Sequence, residues 1–393
     1  MKVCAVIAEY NPFHNGHKAM LDQIRADNPD CAIMVVLGSH FTQRGDVAII
    51  TKSARTEAAL KCGADIVIGM PVTSSLASAE RFALGGVSIM QNSNVVDEIY
   101  FGSECGSIKL LQDAKRSIKD SRVEQHIKLN LNSGKTYAKI REEAVNRFYG
   151  DSISNVIKEP NNILGIEYIS ALEKLNSTII PRTIKRFAVE HDGGTNGEFA
   201  SASYIRDHIN EAMFFVPFET QEILERENLL GHCPARLDEI GKAILAMLRT
   251  ITPETIKSLP DLSEGIENRL IDSILTSNSL EQLFENAKTK RYTMARIKRL
   301  FLYAALGITK EDADTLPEYI HVLGATQKGL SVLSKMTEKC KYPIVTKYSD
   351  FANLRGKAKR QLEIECDAAN LYALAFDTPF PCGTEITYKF LKI

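Results

Sequence analysis

The chain has 393 residues, which at roughly 150 per domain suggests two or three domains and excludes a lone binding module. Hydrophobic residues at 44% and charged residues at 25% are average for a soluble globular chain, and no stretch approaches the roughly 18 apolar residues of a membrane span. Forty-eight basic residues against forty-nine acidic ones leave a net charge of −1, so a polyanion partner must be met by a local patch. Eight cysteines (Cys4, Cys31, Cys62, Cys105, Cys233, Cys340, Cys366 and Cys382) form no CxxC pair. That argues for buried free thiols, and against a zinc ribbon or a disulfide scaffold.

The first apolar run follows a lysine, but Glu9 and Pro12 interrupt it and no small-residue cleavage site comes after. It reads as a first strand, Val3 to Ala8, of a cytoplasmic protein. Asn15-Gly16-His17 opens a helix running through Met20, Leu21 and Ile24, and Ala32 to Leu37 is a continuously apolar strand. Lys52 to Cys62 reads as helix, Asp65 to Gly69 as strand, Ser75 to Met90 as helix and Asp97 to Gly102 as strand. Ser107 to Arg147 is amphipathic helix, Asn161 to Leu175 a further helix, and Thr178 to Phe187 a last strand. From about residue 211 helical periodicity takes over, at Ile240 to Ile251, Ile266 to Thr276, Leu280 to Ala287, Met294 to Leu306 and Gly329 to Met336. Glu385 to Ile393 reads as an edge strand or a tail. The expected fold class is α/β: a Rossmann-like domain with a parallel sheet over residues 1–210, followed by a mostly α-helical domain over 211–393.

The chemistry is concentrated in His14-Asn15-Gly16-His17, an HxGH sequence between the first strand and the first helix. A helix N-terminus there offers unpaired N–H groups to a nucleotide phosphate. Gly16 permits close approach, and the imidazoles of His14 and His17 can stabilise charge developing at phosphorus. Nearby histidines are often merely surface or core residues, but a strand before, Pro12 at the turn and a helix after favour nucleotidyl transfer. Zinc is disfavoured because no third ligand sits at metal spacing, so no protein-held metal site is predicted.

HxGH after a first strand resembles the signature of the HIGH-motif nucleotidyltransferase superfamily. Lys52 and Arg55, opening a helix after the second strand, stand where that superfamily places residues near the phosphates. Ser201-Ala202-Ser203-Tyr204-Ile205-Arg206 is similar to its ISSTxxR motif, with Ala202 departing from the pattern. Ser201, Ser203 and Arg206 then become phosphate contacts, while a helix cap at Ser203 is an equally good account. The string Ala8 to His17, Gly102 in Tyr-Phe-Gly-Ser-Glu, Pro160 to Tyr168, and Ile184-Lys185-Arg186 followed by His191-Asp192 resembles the bacterial tRNA(Met) cytidine acetate ligases along nearly the whole chain.

That resemblance implies an ATP-dependent ligase that activates acetate as acetyl-adenylate and acetylates N4 of the wobble cytidine of elongator tRNA(Met). It implies ATP, with Mg²⁺, as cofactor, and no membrane or DNA partner. The ATP site it implies comprises Ile7, Ala8, Glu9, Tyr10, Asn11, Pro12, Phe13, His14, Asn15, Gly16, His17, Lys18, Ala19 and Met20, with Gly102, Asn162 and Arg186; His14 and His17 are catalytic. Taken as residues alone, Gly102 is better read as a turn glycine, Asn161 or Asn162 as a helix cap, and Lys185 and Arg186 as a solvated basic strand end.

Six positive charges fall between Lys288 and Arg299 with no acid, and Tyr292 lies among them. The patch suits phosphates, and the resemblance implies that Lys290, Arg291, Tyr292, Arg296 and Arg299 are tRNA contacts, Arg296 and Arg299 on one face at i, i+3, with Arg355, Lys357, Lys359 and Arg360 extending the track. An ordinary solvated face is the competing account. The segment Ser39 to Asp46 is a candidate lid over a water-sensitive anhydride. A nucleotidyltransferase acting on a small-molecule acceptor in cofactor synthesis, and an ATP-sensing or RNA-binding module, are the rival functions.

Overall fold

A computed structural model describes residues 1–131, 133–186, 195–209, 211–262, 265–289 and 292–393. Its strands are β1 (Val3–Ala8), β2 (Ala32–Leu37), β3 (Ile66–Gly69), β4 (Glu98–Ser103), β5 (Ile180–Lys185), β6 (Thr195–Asn196), β7 (Phe199–Ala200), β8 (Ile320–Ala325), β9 (Ile344–Val345) and β10 (Leu391–Lys392). The main sheet runs β10-β8-β3-β2-β1-β4-β5, with β9 paired to β8. From β3 to β5 every pairing is parallel, and the strand order reverses between β1 and β4. That reversal opens a crevice beyond the strand ends, the usual ligand position in a doubly wound sheet.

Residues alternate across the sheet because a strand has a period of two. Ala5, Met34 and Ile68 feed the core beneath α4 (Ala79–Ser93) and the helix Pro160–Lys174. Val6, Val35 and Val67 feed the opposite core, beneath α1 (Asn15–Asp27) and α2 (Lys52–Lys61). All six residues of β2 are buried, which is why its sequence is an unbroken apolar run. A third core fills the helical half and takes in Phe41 and Val47 from the segment after β2.

Several expectations need correction. The single helix expected over 75–90 is divided into α3 (Val72–Ser75) and α4, because Ser78 leaves the helix to cap Arg81 N–H. The stretch 107–147 holds separate helices, Ile108–Ile118, Ser121–Asn130 and Tyr137–Tyr149, with Ser107, Asp120 and Thr136 as their caps. The boundary expected at 210/211 marks a change of sequence texture and not a division in space. β8 pairs antiparallel with β3, and β10 pairs with β8, so the later half completes the sheet of the earlier one. A helix over Gly356–Tyr372 also went unread in the sequence. No helix among the described residues is long and apolar enough to cross a membrane.

Candidate active site

β1 delivers the chain to the crevice, and Tyr10 turns it with φ +46°, a left-handed conformation uncommon outside glycine. His14 then takes an extended conformation as the N-cap of α1, its Nδ1 accepting the Gly16 N–H at 3.1 Å. His17, one turn on, accepts the His14 N–H through its own Nδ1 at 3.2 Å. This reciprocal capping box is built from two imidazoles. Each Nδ1 is an acceptor, so each Nε2 carries the proton and presents an N–H donor. The rings stack with centroids 3.6 Å apart, and Tyr10 packs edge-on against His17 at 4.8 Å.

Burial is the main cause that pushes His14 down to about 3, with Arg186 and Arg206 adding to it. His17 is likewise held well below its ordinary value, first by burial and then by His14 and Arg186. Both rings are therefore neutral hydrogen-bond donors in the free protein. Asn15 fixes the helix start by donating to the Glu198 and Phe214 carbonyls at 2.9 and 3.1 Å.

That tie brings Arg206 to the same place, where its Nη1 donates to the Asn11 carbonyl at 2.9 Å and its Nη2 to Ser203 Oγ at 3.2 Å. The cap of this helix is Ser201, which accepts the Tyr204 N–H; Ser203 is inside the helix and supports Arg206, which corrects the cap expected at Ser203. At the end of β4, a Cβ on Gly102 would lie 3.0 Å from Arg186 Cγ, so the missing side chain makes room for Arg186. Asn162 is buried, with Oδ1 accepting from Cys105 N–H and Nδ2 donating to the Val156 carbonyl. In this arrangement it braces the loop after β4 and shows its amide to protein. Glu104 holds the neighbouring N–H groups of Asn161 and Asn162.

Lys52 and Arg55 are both buried and engaged by groups of the protein itself. Arg55 is 1% exposed and donates to the carbonyls of Glu9, Gly38 and Ser39, tying together the ends of β1 and β2. Lys52 is buried between Glu365 at 3.0 Å and Glu385 at 2.5 Å, and Glu385 also meets His40 and His321. Burial works against the ammonium, but the two carboxylates outweigh it and raise Lys52 to about 12. His40, Glu365 and Glu385 bring ligand-type atoms within 4.8 Å of one another, yet Lys52 already supplies the cation there. Sequence reasoning missed this cluster because its partners lie more than three hundred residues apart.

The 39–46 segment is a packed strap, where the sequence suggested a lid. Phe41 and Val47 bridge across it and are buried in the helical core, and Arg44 is its exposed tip. In the helical half, Arg296 lies over the Tyr292 ring at 4.7 Å and donates to the Asp261 carbonyl. Lys290, Arg291 and His191-Asp192 lie outside the described residues. Arg299 is turned inward and 8% exposed, donating to the Gln43 carbonyl at 2.9 Å, so the shared RNA-facing surface expected of Arg296 and Arg299 is not formed. In the second basic cluster, Arg360 is engaged by Asp312 and the Gly307 carbonyl, and Arg355 by the Ala352 and Leu354 carbonyls.

The groups that His14, His17, Arg186 and Arg206 offer are hydrogen-bond donors. A protein-held Mg²⁺ needs oxygen ligands, so this donor set fits a nucleotide's phosphates and does not fit the metal.

Residues 1–382 match the family model described as HIGH Nucleotidyl Transferase. The chain is 37% identical to a tRNA(Met) cytidine acetate ligase of Acetivibrio thermocellus over 100% of both chains. It is also 37% identical to one of Caldanaerobacter subterraneus subsp. tengcongensis over 96% of both. Its fold superposes on the crystal structure of Thermotoga maritima TmcAL bound with alpha-thio ATP, with a TM-score of 0.88 and 31% identity over 100% of both chains. The apo form of the same protein gives a TM-score of 0.91 at 32% identity, again over 100% of both.

Proposed function

The chain belongs to the tRNA(Met) cytidine acetate ligase family of HIGH nucleotidyl transferases, and from that premise we propose how its residues carry out the reaction. It is an ATP-dependent ligase that forms N4-acetylcytidine at the wobble position of elongator tRNA(Met) and releases AMP and pyrophosphate. The observation that carries the mechanism is the pair of neutral imidazoles, His14 buried and His17 partly buried, whose Nδ1 atoms are both capped by backbone N–H groups. Their Nε2–H donors, the N-terminus of α1 and the guanidinium groups of Arg186 and Arg206 form a preorganised cradle for an α-phosphate.

In the first step an acetate oxygen attacks the α-phosphorus and pyrophosphate leaves. Negative charge grows on the non-bridging oxygens, where His14 and His17 donate; as rigid groups they need no reorganisation. In the second step the cytosine N4 attacks the acetyl carbonyl, AMP departs, and N4 gives up a proton. The base reaches the crevice only when splayed from the anticodon stack. Ser201 acts through the cap it provides, Ser203 through Arg206, and Asn162 by bracing the loop after β4. Mg²⁺ belongs to this reading only as a companion of the ATP phosphates. Tyr292 and Arg296 form part of the tRNA-facing surface, and the place of action is the cytoplasm, where the tRNA is.

The test is AMP and pyrophosphate release from ATP with acetate, with and without total bacterial tRNA, followed by mass spectrometry of the nucleosides. Wild type is expected to form acetylcytidine, and His17→Ala to lower the rate by about 10²- to 10³-fold while melting normally. ATP cleavage without any altered nucleoside would move the reading to a small-molecule acceptor. No cleavage at all would leave a binding module.

A further inference from the structure

The strap after β2 is held at one residue from both sides. The Gln43 N–H donates to Glu9 Oε1 at 2.7 Å, and the Gln43 carbonyl accepts from Arg299 Nη1 at 2.9 Å. Glu9 stands directly after β1, at the crevice where the strand order reverses. Arg299 arrives from the helix Met294–Leu306, whose first turn carries Arg296 over Tyr292. One residue of the strap, through the two peptide groups that flank it, thus links the helix of Arg296 and Arg299 to a carboxylate of the catalytic crevice.

The contact is close along its length. Lys298 Nζ reaches Asp46 Oδ2 at 3.3 Å. Gly45, with φ +74°, lies so near the helix that a Cβ would come within 2.6 Å of Lys298 Cβ and 3.0 Å of Arg299 N. Inside the seam, among the described residues, Arg299 Nε, Asp261 Oδ2 and Gln43 Nε2 are buried without a hydrogen bond. Asp261 Oδ2 is 4.0 Å from Arg299 Nη2, while the Asp261 carbonyl accepts from Arg296.

We propose that Arg299 is a positioning residue for acetyl transfer: through Gln43 it sets the Glu9 carboxylate and the strap at the crevice, so that tRNA engaged at the Tyr292–Arg296 end adjusts the geometry of the reacting site. The inference rests on the acetyl-transfer reading given above. An RNA-contacting arginine is lost in tRNA affinity, whereas a positioning arginine is lost in turnover.

The experiment is steady-state acetylation of tRNA(Met) by wild type, Arg299→Met, Arg299→Lys and Gly45→Ala, each checked by thermal melting, with tRNA dissociation constants measured in parallel. Arg299→Met is expected to lower kcat by about 10- to 100-fold at saturating tRNA, the scale of a small misplacement of reacting groups. The KM for tRNA and its dissociation constant should stay within about two-fold, and Arg299→Lys should recover part of the loss. Gly45→Ala disturbs the same seam without touching a charge and should give the same split, which serves if Arg299→Met does not fold. A raised tRNA dissociation constant with intact kcat, or kinetics unchanged in both Arg299→Met and Gly45→Ala, overturns the proposal. Absence of acetylcytidine from wild type itself would instead remove the acetyl-transfer reading, and this inference with it.

Discussion

Histidines and cations gather at two places near the carboxyl ends of β1 and β2, and the fold uses them in opposite ways. At HxGH the hydrogen bonds of the imidazoles to the described residues run through Nδ1, and Arg206 donates to a backbone carbonyl and a hydroxyl. Their outward donors are the currency of ligand binding. In the cluster of Lys52, Glu365, Glu385, His40 and His321 the opposite holds: the charges are directed at one another and the groups are almost fully buried. Residue type therefore does not separate a binding site from a structural one. What separates them is whether the protein itself already supplies the counter-charge.

The sharpest way to break this comparison is to remove the internal cation. Lys52→Met would leave Glu365 and Glu385 facing each other without a positive partner, and such losses cost about 3–5 kcal/mol. Chemical denaturation should show that loss, with turnover per folded molecule retained. A stable but inactive variant would instead place Lys52 in the reaction. A smaller effect is expected in acid. His14 is pushed down to about 3, while an unfolded histidine titrates near about 6.5. Below that point the unfolded chain takes up a proton that the folded protein refuses, so stability is full above about pH 6.5 and declines as pH falls toward 3. His14→Gln should flatten the fall in melting temperature between about pH 6.5 and 4.5, before carboxylates contribute. An unchanged slope would mean that His14 is already charged in the free protein. Least of all should come from Lys359→Ala, which breaks an exposed pair with Glu363 at 3.8 Å. Its effect on unfolding free energy should stay within about 1 kcal/mol, and a larger one would show that the basic cluster on that helix has a structural role.

How much of this was legible in the sequence follows the range of the interactions. HxGH could be read because all its determinants are local: an apolar strand, a turn, and a helix capped by its own first residues. The strands of the first half were legible for the same reason, since β2 announces its double-sided burial in six consecutive apolar residues. β8 was hidden because Ile320–Ala325 lies among helical segments, and only its pairing with β3 makes it part of the sheet. Lys52 looked like a phosphate ligand because its partners are far away in the chain. Arg299 misled in another way. The i, i+3 spacing does align it with Arg296, but the helix passes beneath the strap, so the same face is open at one end and covered at the other.

The pairing of Lys52 with Glu385 spans 333 residues, and this bears on the order in which the molecule can be assembled during synthesis. When the ribosome has made the first two hundred residues, the nucleotide-binding half has all of its own strands, but Lys52 has no acid to meet and β3 has a bare edge. Neither is corrected until β8 and then the segments carrying Glu365 and Glu385 emerge. Contacts of such separation close late and slowly, and an exposed strand edge invites pairing with other chains meanwhile. A fragment ending near residue 210 should therefore aggregate when expressed alone, even though it contains every residue of the HxGH cradle.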